Sequence, residues 1–271
     1  MPKLLTTEQR LRFASKGIVF PIRVLSLTEA ELYRSACDAL EVSLGGRPRT
    51  VEVRQMHLHF AWAYRLASHR RILDAVEDLL GPNLLIWATE LFAKHPRDAA
   101  VSIAWHRDGA YMGLDAQRTL TAWLALTDST PENGGMRIAC EPNRAEYLRL
   151  QGPKSSVTGR NLPDPPEEKT RHVLLSAGEM SLHDVHVLHG SGPNRSDHKR
   201  MGFAIRFTTP ETCPADNRSP AILVRGEDRY GHFDLQPPPT EEDSHSALRG
   251  MQCSARRHLD ATLRNLTLAT R

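Results

Sequence analysis

A chain of 271 residues, 40% hydrophobic and 25% charged, is long enough to bury a sizeable core and has the balance of an ordinary globular protein. Its net charge of +3 is small, and its 35 basic residues form no Lys/Arg block, so neither nucleic acid nor a membrane surface is expected as a partner. The N-terminus lacks a signal-peptide pattern and no apolar run reaches membrane-spanning length; four scattered cysteines, Cys37, Cys140, Cys213 and Cys253, show no CxxC, which points to a reducing cytoplasm.

In chain order, Thr6-Thr7-Glu8-Gln9 predicts the cap of a short helix that Gly17 ends, and residues 18–22 read as a strand. Ser26 with Glu29 makes a capping box for a second helix running to about Leu44 and stopped by Gly45-Gly46. Residues 70–80 form a third helical stretch, broken at Gly81-Pro82. Beyond Pro82, short β-leaning runs alternate with turn signals: 84–93, 101–105, 119–127, 136–139, 172–175, 180–188 and 201–208. Residues 151–170 and 236–244 are Pro-rich loops, the first a candidate lid, and 246–266 read as a closing helix. Helices first and strands after disfavour a doubly wound α/β sheet. The pattern predicts a mostly β fold with flanking helices, built on a double-stranded β-helix (jelly roll, cupin-like) core. A single domain over 1–271 is expected, with a helical part to about 80, the core from about 84 to 210 and an extension over 211–271.

The sharpest local feature is Trp105-His106-Arg107-Asp108. On a strand, residues two apart face the same way, so His106 and Asp108 would present an imidazole and a carboxylate side by side, with Arg107 turned away. Two histidines and one carboxylate occupy one face of an octahedral iron and leave the other positions open. His-Arg-Asp also occurs in kinase catalytic loops, but Gly113 stands where that motif needs Asn, so the kinase reading is rejected. A third ligand must come from His183, His186 or His189. His189 opens the turn Gly190-Ser191-Gly192-Pro193-Asn194, where glycines admit close backbone approach to a ligand; His183 and His186 more often have supporting roles. Arg200 begins the strand Met201-Gly202-Phe203-Ala204-Ile205. A buried guanidinium needs an anionic partner, and its fork suits a dicarboxylate.

Together these parts resemble the phytanoyl-CoA dioxygenase family of iron/2-oxoglutarate oxygenases. The resemblance rests on the His106/Asp108 pair, on His189-Gly190-Ser191-Gly192-Pro193-Asn194-Arg195-Ser196, and on Arg200 eleven residues after His189. It extends to residues 121–128, to Glu132-Asn133-Gly134-Gly135-Met136-Arg137 and to residues 178–183, covering roughly 8 to 235. It implies Fe(II) on His106, Asp108 and His189, with 2-oxoglutarate and O2 as cosubstrates. Arg200 would hold the distal carboxylate of 2-oxoglutarate, with Trp123 and Ser191 beside it. Thr121, Gln55 and His57 are looser candidates for the cosubstrate or substrate wall. Tyr111, Met112, Trp87, Glu90, His59 and Arg137 are candidates to line the substrate pocket. Related halogenases have Ala or Gly in place of the carboxylate, so Asp108 argues for hydroxylation of a small-molecule C–H bond, with release of succinate and CO2. A secondary-metabolite substrate is expected. The alternatives are epimerisation, desaturation or ring closure at the same metal, or a jelly-roll zinc hydrolase with the same triad.

Overall fold

The helices form where their caps place them. In the computed structural model, which describes residues 2–49, 52–115, 118–140, 164–215, 219–240 and 244–269, α1 (Thr7–Lys16) starts at a Thr6–Gln9 capping box and stops at Gly17, whose φ of 73° is left-handed. Strand β1 (Ile18–Arg23) follows, and α2 (Leu27–Ser43) starts at the Ser26–Glu29 box. A short helix that the sequence pattern did not predict, α3 (Ala61–Ala67), precedes α4 (Arg70–Leu80).

The β region contains β2 (Leu84–Lys94), β3 (Ile103–His106), β4 (Thr119–Ala125), β5 (Met136–Ala139), β6 (Thr170–His172), β7 (Glu179–Asp184), β8 (His189–Ser191) and β9 (Arg200–Thr208). A four-residue helix, α5 (Gly109–Met112), lies between β3 and β4. Two further strands, β10 (Pro220–Arg225) and β11 (Asp234–Leu235), extend the sheet beyond the expected core limit near 210. The closing helix α6 spans Ser244–Ala269 and packs against α5. No described helix is long and apolar enough to cross a membrane. Most of the candidate lid lies outside the described residues, and its last residue already belongs to β6.

The strands form a seven-stranded sheet in the order β1-β7-β4-β9-β2-β10-β11 and a four-stranded sheet in the order β3-β8-β5-β6. This is the two-sheet, mostly β architecture with flanking helices that the sequence predicts. Alternation along the central strands assigns each side chain to one of two faces. Leu120, Leu124, Phe203 and Phe207 join Leu40, Leu66, Ile72 and Val76 in a core between the large sheet and α2–α4. The opposite parity, Trp123 and Ala204, packs with Met136 and Ile138 between the two sheets.

Strand β2 changes parity part-way. Leu84 and Ile86 lie in the helix-side core, as does Leu91. The even and odd residues can share that face only because the register against β9 slips between Ile86 and Ala88. This bulge turns Glu90 and Lys94 towards the small sheet, opposite Ala204 and Arg200 of β9.

Three expected strands stop short, 119–127 at Ala125, 172–175 at His172 and 180–188 at Asp184. Strand β7 stops at Asp184, where the carboxylate accepts the His186 N–H at 2.8 Å, and β8 begins only at His189, beyond the expected run. Strand β3 ends at His106, and Asp108 has helical backbone angles (φ −62°, ψ −35°) at the start of α5. His106 and Asp108 therefore converge through a strand-to-helix turn, not through strand alternation.

Candidate metal and cosubstrate site

The first two groups of the site are a cross-strand pair. His106 on β3 lies opposite His189 on β8, with ring centroids 4.2 Å apart. Each ring is turned by the same device: His106 Nδ1 is 2.9 Å from the Ala104 carbonyl and His189 Nδ1 is 2.9 Å from the Val187 carbonyl. With Nδ1 as the donor, both Nε2 atoms are left as lone-pair donors to a metal.

Asp108 closes the set from the turn after β3. The Gly109 N–H donates to the Val185 carbonyl at 2.9 Å and fixes that turn on the β7–β8 connection. Arg107 donates to the His186 carbonyl, which holds the same two segments together. The Thr121 hydroxyl donates to Asp108 Oδ2 at 3.0 Å, and His106 Nε2 is 3.6 Å from Asp108 Oδ1. Ligand atoms of His106, Asp108 and His189 all lie within 4.8 Å of one another, and no other such cluster occurs among the described residues.

The charges suit a divalent cation. Burial holds His189 neutral by pushing its pKa down to about 3. Burial alone would raise Asp108, but the His106 hydrogen bond and the Arg206 charge carry it well below the usual carboxylate range. For His106, burial pulls the pKa down, while the Asp108 hydrogen bond and charge outweigh it and leave a net rise. A neutral imidazole and an ionised carboxylate are the ligand forms that metals require.

A cavity of about 530 Å³ opens on this cluster. Thr121, Trp123, Ser191 and Arg200, four of the six expected cosubstrate-binding residues, line it together with the triad. Arg200 is 2% exposed. One of its terminal nitrogens, Nη2, donates to the Gly134 carbonyl at 2.8 Å, its Nε has no partner among the described residues, and its guanidinium lies 5.1 Å from the centre of the Trp123 ring. Burial lowers its pKa to about 10, so it remains a cation at neutral pH. Gly202 makes this stacking possible, because a Cβ there would stand 2.0 Å from Trp123 Cζ2.

Gln55 and His57 do not line the cavity. The segment around them runs beside β2, with the Gln55 N–H bonded to the Thr89 carbonyl and the Leu91 N–H to the Val53 carbonyl. In that register Arg54, paired opposite Glu90, takes the cavity face. His57 bonds the Thr89 hydroxyl at 3.0 Å, and Gln55 reaches His258 of α6 at 3.1 Å. Among the substrate-wall candidates, Glu90 lines the cavity, in ion pairs with Arg54 at 2.7 Å and Arg206 at 3.1 Å. Trp87 and Met112 pack in a separate apolar cluster, His59 bonds Ser254 at 2.8 Å, and Arg137 stacks on Trp105. The Tyr111 side chain lies outside the described residues.

One residue weighed as the third ligand takes a supporting place, and two features escaped the sequence pattern. His183 lines the cavity on β7, 3.9 Å from Asp108 Oδ2, with neither ring nitrogen hydrogen-bonded among the described residues. Arg206 reaches the cavity because it shares the parity of Arg200, a signal readable from spacing alone. Lys94 is buried beside Arg200, and only the bulge in β2 puts it there. His186, in contrast, lines a second cavity behind β8.

A jelly roll that converges two histidines, one carboxylate and a buried arginine on one cavity defines the class of Fe(II)- and 2-oxoglutarate-dependent oxygenases. The model of the phytanoyl-CoA dioxygenase (PhyH) family matches residues 16–202, and the chain belongs to that family. It is 34% identical to a solved structure of the non-heme monooxygenase ThoJ in its apo form, covering 96% of this chain and 99% of ThoJ, with a TM-score of 0.79. It is 29% identical over 60% of its length to a probable alpha-ketoglutarate-dependent hypophosphite dioxygenase of Stutzerimonas stutzeri. An ectoine dioxygenase of Streptomyces anulatus is 25% identical over 64% of this chain. The matches span 58% and 63% of those two curated relatives.

Proposed function

We propose that this protein hydroxylates a C–H bond of a small molecule, using Fe(II), 2-oxoglutarate and O2 and releasing succinate and CO2. His106, Asp108 and His189 hold the iron, and Arg200 holds the distal carboxylate of 2-oxoglutarate. The observation that carries this reading is Arg200: a buried cation with an unpartnered Nε, opening on the same cavity as the triad. A zinc hydrolase has no use for a buried carboxylate clamp at that position.

The bound iron and 2-oxoglutarate supply the oxidation, in which decarboxylation of the 2-oxo acid is coupled to insertion of one oxygen atom into the substrate. The protein's own residues place these groups. The two Nε2 atoms and one Asp108 oxygen would hold the metal, a donor set that suits iron with positions left for ligands. Thr121 holds the second Asp108 oxygen, which favours binding through one oxygen only. Trp123 covers the guanidinium of Arg200 and shields it from water. The Arg54–Glu90–Arg206 group forms a polar wall that orients the substrate. The enzyme is read as one domain acting in the cytoplasm on a secondary metabolite, with neither nucleic acid nor membrane as partner.

The test is anaerobic titration of the apoprotein with Fe(II) and then 2-oxoglutarate. Chelation should produce a weak visible charge-transfer band, and its absence would defeat the reading. Arg200→Ala should weaken 2-oxoglutarate binding by about 10- to 100-fold, the scale of a charged hydrogen-bonded contact. Iron affinity should be nearly unchanged; equal loss of both would make Arg200 a structural residue.

A further inference from the structure

Lys94 ends β2 as a buried ammonium with no carboxylate partner among the described residues. It is 2% exposed. Its Nζ donates to Ser191 Oγ at 2.7 Å, to the Gly134 carbonyl at 3.3 Å and to the Gly192 carbonyl. Three N–H bonds meet three acceptors, so the ammonium has no donor left for a ligand. Lys94 is also the cross-strand partner of Arg200, and both cations donate to the same Gly134 carbonyl. Among the described residues, neither has a carboxylate partner. Burial, and then the charge of Arg200, push the Lys94 pKa down to about 7. Two adjacent buried cations without an anion are costly unless a ligand supplies one.

Ser191 connects this pair to the cavity. Its oxygen accepts the Lys94 bond, and the residue lines the cavity together with Arg200 and Trp123. A hydroxyl that accepts from an ammonium must turn its own proton away from it. Ser191 lines the cavity, so that proton is free for a ligand bound there.

We propose that Lys94 is a positioning residue for the cosubstrate: it sets Ser191 as a hydrogen-bond donor to the distal carboxylate, and its charge joins that of Arg200 in holding that end. The proposal rests on the cosubstrate reading given above. It adds a second cation and a direction for one proton.

Calorimetric titration of the Fe(II)-loaded protein under anaerobic conditions can compare two ligands. One is 2-oxoglutarate, and the other is 2-oxopentanoate, which has the same metal-chelating head and no distal carboxylate. Lys94→Met should weaken 2-oxoglutarate by about 10- to 100-fold and leave 2-oxopentanoate unchanged. Lys94→Gln, which keeps a donor for Ser191 and loses the charge, should show a smaller loss with the same selectivity. Ser191→Ala should cost less in the Lys94→Met background, which removes the donor that sets Ser191, than in the wild type. Equal losses for both ligands, no loss, or strictly additive effects would overturn the proposal and leave Lys94 as a tie between loops. If Lys94→Met does not fold, Lys94→Gln and Ser191→Ala decide the matter by the same criteria. Failure of the wild-type protein to bind 2-oxoglutarate would instead remove the cosubstrate reading itself.

Discussion

A histidine that is buried neutral makes stability depend on acidity. His57 is fully buried, its Nδ1 is bonded to Thr89, and its Nε2 has no partner among the described residues. Burial pushes its pKa down to about 3, and the same cause brings His258 to about 3. Between that value and the ordinary pKa of about 6.5, the unfolded chain binds a proton that the folded chain refuses. The sign follows: stability is complete above about pH 6.5 and falls as the pH drops towards 3. The urea midpoint of the metal-free protein should fall between about pH 7 and about pH 5. His57→Gln should flatten that slope. A slope unaltered by the substitution would mean that His57 is protonated in the folded protein.

At the scale of single elements, β9 shows how one small residue sets the site. The missing Cβ of Gly202 gives the Trp123 indole its place over Arg200. Gly202→Ala should cost about 1–3 kcal/mol of stability, the usual range for overpacking. It should also change the near-ultraviolet circular dichroism of the indole and weaken 2-oxoglutarate. Unchanged binding with a displaced indole would show that Trp123 has no part in holding the cosubstrate. The elements were unevenly legible in the sequence. Helices α1 and α2 were readable because caps are local: Thr6, Ser26 and Gly17 act within one turn. Strand ends were not, because they depend on partners far along the chain. The end of β3 was read to within a residue, but nothing near Asp108 announces its helical backbone, and the choice of Arg54 over Gln55 at the cavity depends on the pairing with β2. His189 and Arg200 were legible because the turn between them has a fixed length and composition, while Lys94 was hidden by a register slip several residues upstream.

For the whole molecule, ligand binding and folding are linked. A ligand that binds only the folded state adds about 2.7 kcal/mol at a concentration a hundredfold above its Kd. Fe(II) with 2-oxoglutarate under anaerobic conditions should therefore raise the Tm, and Asp108→Ala should abolish the metal-dependent part of the rise. A variant that keeps the full rise would place the metal elsewhere. Helix α6 contributes to the same unit, since the His258 ring packs at a tilt against Trp87, with centroids 5.1 Å apart, and bonds Gln55. The slip in β2 has a consequence for how this chain tolerates variation. Beyond Ile86, residues 89 and 91 face the helices and residues 90 and 94 face the chemistry. A library that varies the first pair samples stability, and one that varies the second samples ligand choice. One strand thus offers two nearly independent handles, interleaved residue by residue, and a deletion of one residue at the slip would exchange them.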